Sequence, residues 1–208
     1  MTTETAQTLD RGLRLLALVS ETPDGLTITE AAERLGVGRA VVYRLVGTLT
    51  SHGLIRRDQA GRLRLGLGVL QLARRAQPLV ADAALAPLRR LAEASGATAH
   101  LTVADGGEAL ALVVVEPSWT QFHVAYRAGS RHPLDRGAAG RAILSDQPGW
   151  IASSGELQPG AHGIAARVRG VPGLECSVGV VALGPFAESE IGPLVLAAAE
   201  ELSAALSS

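Results

Sequence analysis

Leucine and valine recur at helical spacing through the first third of the chain, and the apolar period then shortens to two. Leu9, Leu13, Leu16 and Val19 share one helix face, which predicts a helix over residues 8–20. Thr-Pro-Asp-Gly at 22–25 is turn chemistry. Thr27 followed three residues later by Glu30 has the capping-box arrangement. Ile28, Ala31, Ala32 and Leu35 then fall at i, i+3, i+4, i+7 and predict a short second helix. Gly36-Val37-Gly38 interrupts it, and a third helix is expected over 39–51. Its buried stripe is Val42, Leu45, Val46 and Leu49, and its other face carries Arg39, Ala40, Tyr43, Arg44, Gly47 and Thr48. Gly53 stands where a helix-ending glycine belongs. Residues 54–57 and 62–65 read as two short strands turned by Asp58-Gln59-Ala60-Gly61.

Beyond residue 66 the pattern predicts a connecting helix closed by Pro78. An Ala/Leu-rich helix over 79–94, with Pro87 inside it and Gly96 after it, is expected next. Strands over 97–104 and 108–115 meet at Asp105-Gly106-Gly107, a strong hairpin signal. A third strand is expected over 121–127, a short helix over 137–144, and a loop rich in Pro, Gly and Ser over 145–162. Strands over 163–169 and 175–183 flank Val171-Pro172-Gly173, and a helix over 189–206 closes the chain.

Three helices and a basic hairpin in about 65 residues are the layout of a winged helix-turn-helix, whose third helix lies in the major groove. Arg39, Ala40, Tyr43, Arg44 and Thr48 supply small, hydrogen-bonding and cationic groups to that face. The hairpin adds Arg56, Arg57, Arg62 and Arg64. Arginine can pair bidentately with guanine or clamp a phosphate. Two of these residues have structural alternatives: Arg44 could pair with Glu33, and Tyr43 could pack against the hairpin.

Charge supports that layout. All 19 basic residues are arginine, so every basic phosphate contact must be an arginine contact. Residues 1–77 hold 11 arginines against 7 acidic residues, a net +4, and residues 78–208 hold 8 against 13, a net −5. A basic module followed by an acidic one suits a nucleic-acid reader carrying a second domain. The chain is 47% hydrophobic but only 3% aromatic, so its core must be built of Leu, Val and Ala. No apolar run approaches the ~18 residues of a membrane helix. The opening stretch lacks the layout of a secretion signal. A cytoplasmic protein with no membrane partner is expected.

Enzyme chemistry is not assembled by this sequence. Cys176 is the single cysteine, which excludes an internal disulfide and a cysteine-rich zinc site. His100, His123, His132 and His162 lack metal-ligand spacing, and His100 and His123 are read as core or surface strand residues. Cys176-Ser177 forms no nucleophile elbow, and Gly66-Leu67-Gly68 lacks the third glycine of a dinucleotide loop. No catalytic residue, metal or cofactor is expected. Gly137-Ala138-Ala139-Gly140-Arg141 opens a helix with small residues, which suits an anion at its free N–H groups or close packing on a strand.

The stretch from Leu9 to Gly66 resembles the IclR family of bacterial transcription regulators. Arg11, Leu13, Leu16, Ala32, Gly36, Arg39, Tyr43, Arg44, Leu45, Leu49, Gly53 and Leu65-Gly66 stand at positions matching the family pattern. Downstream, Gly129, Pro133-Leu134 and Ala139-Gly140-Arg141-Ala142 resemble a second segment of it. So do Ile164-Ala165-Ala166 and residues 180–185. Two departures stand out. Ala40-Val41 replaces the family's usual Ser-Thr after the basic residue, which removes two hydroxyl contacts. Residues 145–162 are shorter than the family norm, so helices that help wall the ligand pocket are missing.

The resemblance implies an α+β fold: a winged helix-turn-helix over 1–66, a linker helix over 67–77, and a GAF-like α/β effector-binding domain with an antiparallel sheet over 78–208. It implies a regulator that binds a double-stranded DNA operator and answers to a small organic effector, a carboxylate or an aromatic. Arg11, Arg39, Ala40, Tyr43, Arg44, Thr48, Arg57, Arg62 and Arg64 are the expected DNA contacts. Leu101, Val113, Gly129, Leu134, Ala138, Ala139 and Cys176 are the expected effector contacts. A homodimer or dimer of dimers is expected, joined through the apolar face of the first helix and the linker. The alternative is a DNA-binding protein whose second domain only oligomerises, which the shortened 145–162 region favours.

Overall fold

The computed structural model describes residues 6–120 and 126–207. The chain divides into two compact units, Met1–Gln77 and Pro78–Ser208.

The first unit holds α1 (Gln7–Ser20), α2 (Ile28–Leu35), α3 (Arg39–Ser51) and a two-stranded hairpin, β1 (Ile55–Arg57) and β2 (Leu63–Leu65). Its core is the stripe that the spacing predicts: Val42, Leu45, Val46 and Leu49 pack with Leu15, Val19, Leu26, Ala31, Leu35, Ile55 and Leu63. The capping box forms as expected. Thr27 accepts the Glu30 N–H at 3.2 Å, and the Glu30 carboxylate accepts the Thr27 N–H at 2.7 Å. Gly36 ends α2 with φ +65°, a left-handed conformation that glycine adopts without strain, and so turns the chain toward α3. Leu26 bonds Leu63 in both directions, at 3.0 and 2.7 Å, and so ties the α1–α2 connection to the hairpin.

The second unit is an antiparallel six-stranded sheet of order β5-β4-β3-β8-β7-β6, with helices on both faces. Its strands are β3 (Thr98–Asp105), β4 (Glu108–Val115), β5 (Arg131–Pro133), β6 (Trp150–Ser154), β7 (Ala161–Val168) and β8 (Cys176–Leu183). On one face Ala99, Leu101, Val103, Val113, Cys176, Val178 and Val180 meet α4 (Gly68–Ser95) and α6 (Glu188–Leu206) through Leu88, Leu91, Val195 and Leu202. On the other face Ala138, Ala139 and Ala142 of α5 (Gly137–Leu144) pack on Ala165 and Ile151. Successive strand residues point to opposite faces, so β3 sends Thr98, His100 and Thr102 toward the α5 side.

Two expectations need correction, and a third falls mostly outside the described residues. The chain does not break at Pro78: α4 is one helix of 28 residues with Pro78 and Pro87 inside it. Ala, Leu, Arg and Gln dominate on both sides, and these are strong helix formers. The last half of α4 also buries Ala84, Pro87, Leu88, Leu91 and Ala92. Residues 145–162 are not all loop, because Trp150–Ser154 pairs with Ala166–His162 as the outer strand of the sheet. The expected strand at 121–127 falls mostly outside the described residues. The strand that borders β4 is Arg131–Pro133, where Pro133 sits at a sheet edge and costs no ladder bond on the open side.

Candidate nucleic-acid interface and ligand pocket

The α3 surface that faces away from Val42, Leu45, Val46 and Leu49 is exposed along Arg39, Ala40, Tyr43, Arg44, Gly47 and Thr48. Among the described residues Arg39 and Arg44 have no ion-pair partner, so the alternative of an Arg44–Glu33 pair is not realised. The Thr48 hydroxyl donates back to the Arg44 carbonyl at 3.2 Å. Tyr43 does meet the hairpin: the Arg57 guanidinium lies 5.6 Å from its ring centroid.

The hairpin arginines fall into two pairs. Arg56 and Arg57 are exposed. Arg62 and Arg64 are half-buried and already engaged. Arg62 donates to the Gly25 carbonyl at 3.2 Å and stands 3.5 Å from the Glu30 carboxylate. Arg64 pairs with Asp58 at 3.0 Å and also donates to the Pro23 carbonyl. The Arg62 N–H and the Arg64 guanidinium hold the Asp58 carboxyl below its ordinary range. The Thr27 N–H does most of the same for Glu30. These two arginines clamp the hairpin and the α1–α2 turn as found. Period-2 alternation placed them on a strand, and it could not show which acids the fold would bring alongside. Arg11 lies half-buried on α1.

The second unit carries a pocket of about 70 Å³ beside α5. Of the seven expected effector contacts, Ala138 and Ala139 line it. Leu101, Val113 and Cys176 belong to the core on the opposite face of the sheet. Burial pushes the Cys176 thiol up to about 12. Gly129 and Leu134 do not line the pocket either. The Leu134 carbonyl instead presses on α5, only 2.5 Å from where a Cβ on Gly140 would stand, so the small residues there serve close packing.

The polar lining is His100, Tyr126, His132, His162, Ser153 and Glu156, none of them among the expected effector contacts. The alternation of β3 carried the signal, because apolar Ala99, Leu101 and Val103 interleave with Thr98, His100 and Thr102. His100 Nδ1 lies 3.0 Å from the Thr102 hydroxyl, and its ring meets Tyr126 edge-on at 5.0 Å. Burial, aided by the charge of His132, pushes His100 down to about 3, so it is neutral near pH 7. Burial likewise raises Tyr126. The Tyr126 hydroxyl approaches Thr102 without hydrogen-bond geometry, and among the described residues it and His132 Nε2 are buried without a hydrogen-bond partner. Among the described residues no cluster could hold a metal ion.

The N-terminus of α5 is occupied by the chain itself. The Glu156 carboxylate accepts the Gly137 N–H at 2.8 Å, and Arg141 supports it at 2.8 Å. The Ser153 hydroxyl accepts the Ala138 N–H at 2.9 Å.

Residues 8–59 match the IclR helix-turn-helix domain, and residues 75–149 match the bacterial transcriptional regulator IclR C-terminal domain. The chain belongs to the IclR family. The second match stops where β6 begins. The acetate operon repressor of Salmonella typhimurium is 30% identical over 150 residues, which are 67% of this chain and 52% of that protein. The regulator BhcR of Paracoccus denitrificans is 32% identical over 148 residues, 66% of this chain and 50% of that protein. The chain thus spans about half the length of these curated relatives. An IclR regulator structure from Alicyclobacillus acidocaldarius shares the fold at TM-score 0.58 and 23% identity, covering 99% of this chain and 100% of that one. An IclR homolog from Microbacterium hydrocarbonoxydans, solved with 4-hydroxybenzoate, does so at TM-score 0.54 and 18% identity, covering 96% and 98%. IclR proteins are transcription regulators, and the named relatives are regulators rather than enzymes. Among the described residues no helix is long and apolar enough to cross a membrane.

Proposed function

We propose that this IclR-family chain is a sequence-specific DNA-binding transcription regulator. The α3 face enters the major groove of a duplex operator, with Arg39, Tyr43 and Arg44 toward base edges and Arg56 and Arg57 beside the backbone. The observation that supports this most is the division of the arginines. Among the described residues Arg39 and Arg44 have no ion-pair partner on an exposed helix face, whereas Arg62 and Arg64 are spent on Glu30 and Asp58. Arg62 and Arg64 act by holding the hairpin in place, and Arg11, Ala40 and Thr48 complete the expected footprint. The chain divides by role into a DNA-binding unit over 1–66, a linker over 67–77 that from Gly68 forms the first part of α4, and an effector unit over 78–208, and a cytoplasmic location follows from this role. A phosphate-contacting arginine adds to the salt dependence of binding. Anisotropy titrations of a selected duplex at several salt concentrations test the reading, with Arg56→Ala and Arg57→Ala expected to flatten the salt slope.

The regulator works as a homodimer or dimer of dimers. Leu9 and Leu13 on α1 are 63% and 55% exposed, and Leu67, Leu70 and Leu72 are 75%, 60% and 58% exposed. Two related half-sites multiply affinity and specificity. Light scattering at micromolar concentration checks this; a monomeric mass opposes it.

The α5 pocket receives the small-molecule effector. A second reading, in which this unit only oligomerises, draws on the small volume of about 70 Å³ and on the self-capped α5 N-terminus. Binding at the His132 ring, measured by NMR, separates the two.

A further inference from the structure

The wall of the α5 pocket has an unusual balance of charge. Its deepest polar groups are His100 and His132, 4% and 8% exposed. His132 Nδ1 lies 3.0 Å from the Pro133 carbonyl. A carbonyl only accepts, so Nδ1 carries the hydrogen, and in that tautomer Nε2 is an acceptor. Among the described residues that Nε2 has no hydrogen-bond partner, and neither has the Tyr126 hydroxyl, which only approaches Thr102. Leaving such groups dry costs free energy that a matching ligand recovers. What they lack is a molecule with a donor for Nε2 and an acceptor for the phenol.

One carboxylate is already present. Glu156 lines the pocket, and its two oxygens are engaged by the Gly137 N–H and by Arg141. It sits where the positive end of α5 would otherwise receive an anion. Ser153 takes the next N–H. An acid entering this space finds those two donors occupied and a like charge beside them, and two carboxylates in one confined site repel.

We propose that the α5 pocket takes a small uncharged alcohol or primary amide, bonded to His132 Nε2 and the Tyr126 hydroxyl, and that Glu156 is a resident carboxylate that excludes organic acids. This rests on the reading of the pocket as the effector site. A hydroxyl or amide group donates and accepts at once, as the two unpartnered atoms require. Ala138 and Ala139 leave only short side chains along the helix wall, which favours a compact ligand.

The test uses matched pairs on the full chain: propionamide against propionate, and lactamide against lactate, followed by the imidazole NMR signals of His132. The amides should shift these signals, with the acids at least tenfold weaker. Glu156→Gln keeps an acceptor for the Gly137 N–H while removing the charge, and should narrow the acid–amide gap at least tenfold. Tyr126→Phe should weaken both amides. If the acids bind the parent as well as the amides do, the pocket reading stands and the exclusion falls. If no probe of either kind moves the His132 signals, the pocket reading falls with it. Should Glu156→Gln fail to fold, the acid–amide ratio in the parent and the Tyr126→Phe result still decide the outcome.

Discussion

The guanidinium of Arg57 lies over the ring of Tyr43, joining the tip of β1 to the exposed face of α3. A cation over an exposed aromatic ring contributes ~0.5–1 kcal/mol. Tyr43 is 55% exposed, so it carries little of the core. Tyr43→Ala should therefore lower stability by less than ~1 kcal/mol, yet weaken duplex binding, because the hairpin loses its stop against the helix. Urea unfolding and anisotropy on the same preparation separate the two effects. Equal affinity in the variant would remove the ring from the interface.

The hairpin arginines should behave differently from those on α3. Arg64→Ala removes the partner of Asp58 and a bond to the Pro23 carbonyl, so it should lower the melting temperature before it changes DNA contacts. Arg39→Ala should leave the melting temperature in place and cost ~1–3 kcal/mol of operator binding. Thermal melts with binding isotherms check the contrast.

The capping box at α2 makes a local claim. Thr27→Ala loses the acceptor for the Glu30 N–H and should cost ~1 kcal/mol, read as a lower urea midpoint. Thr27→Asn should restore most of it, since Asn also caps well.

His100 sets a pH dependence. Folding holds its imidazole neutral down to about 3, against an ordinary 6.5. Between those values the unfolded chain binds the extra proton, so the contribution of this group falls as pH falls through that window and is constant above it. By pH 5 the loss is roughly 2 kcal/mol. His100→Gln should be less acid-sensitive than the parent between pH 7.5 and 5 by about that amount, whatever its absolute stability. Urea midpoints across the range measure it.

Cys176 is fully buried, and burial raises its thiol to about 12. A thiol of that kind is unreactive. A thiol-specific chromogenic reagent should leave the native protein unlabelled at pH 8 and label one equivalent in denaturant. Labelling without denaturant would place the residue outside the core described above.

The first unit was readable from the sequence because its signals are local. The capping box, the Val42–Leu49 stripe and the two-residue alternation of the hairpin each lie within a dozen residues. The second unit depended on long-range pairing. Which face of β3 meets the helices is decided by α4 and α6, some distance away in sequence. A one-residue choice of parity therefore put Leu101, Val113 and Cys176 in the pocket in place of His100. Trp150–Ser154 was hidden among Pro, Gly and Ser because a short outer strand draws its order from its neighbour, here Ala161–Val168. Glu156 reaches the α5 N-terminus from 19 residues away, which no local motif announces.

The central claim is that the α3 face reads duplex DNA. Selection of genomic fragments by the parent and by the Arg39→Ala/Arg44→Ala double variant, followed by sequencing, tests it most directly. The account predicts that the parent enriches a set of sites built from two related half-sites. The double variant, with an unchanged thermal melt, should enrich none of them. Recovery of the same sites by the double variant, or of no sites by the parent, would contradict it.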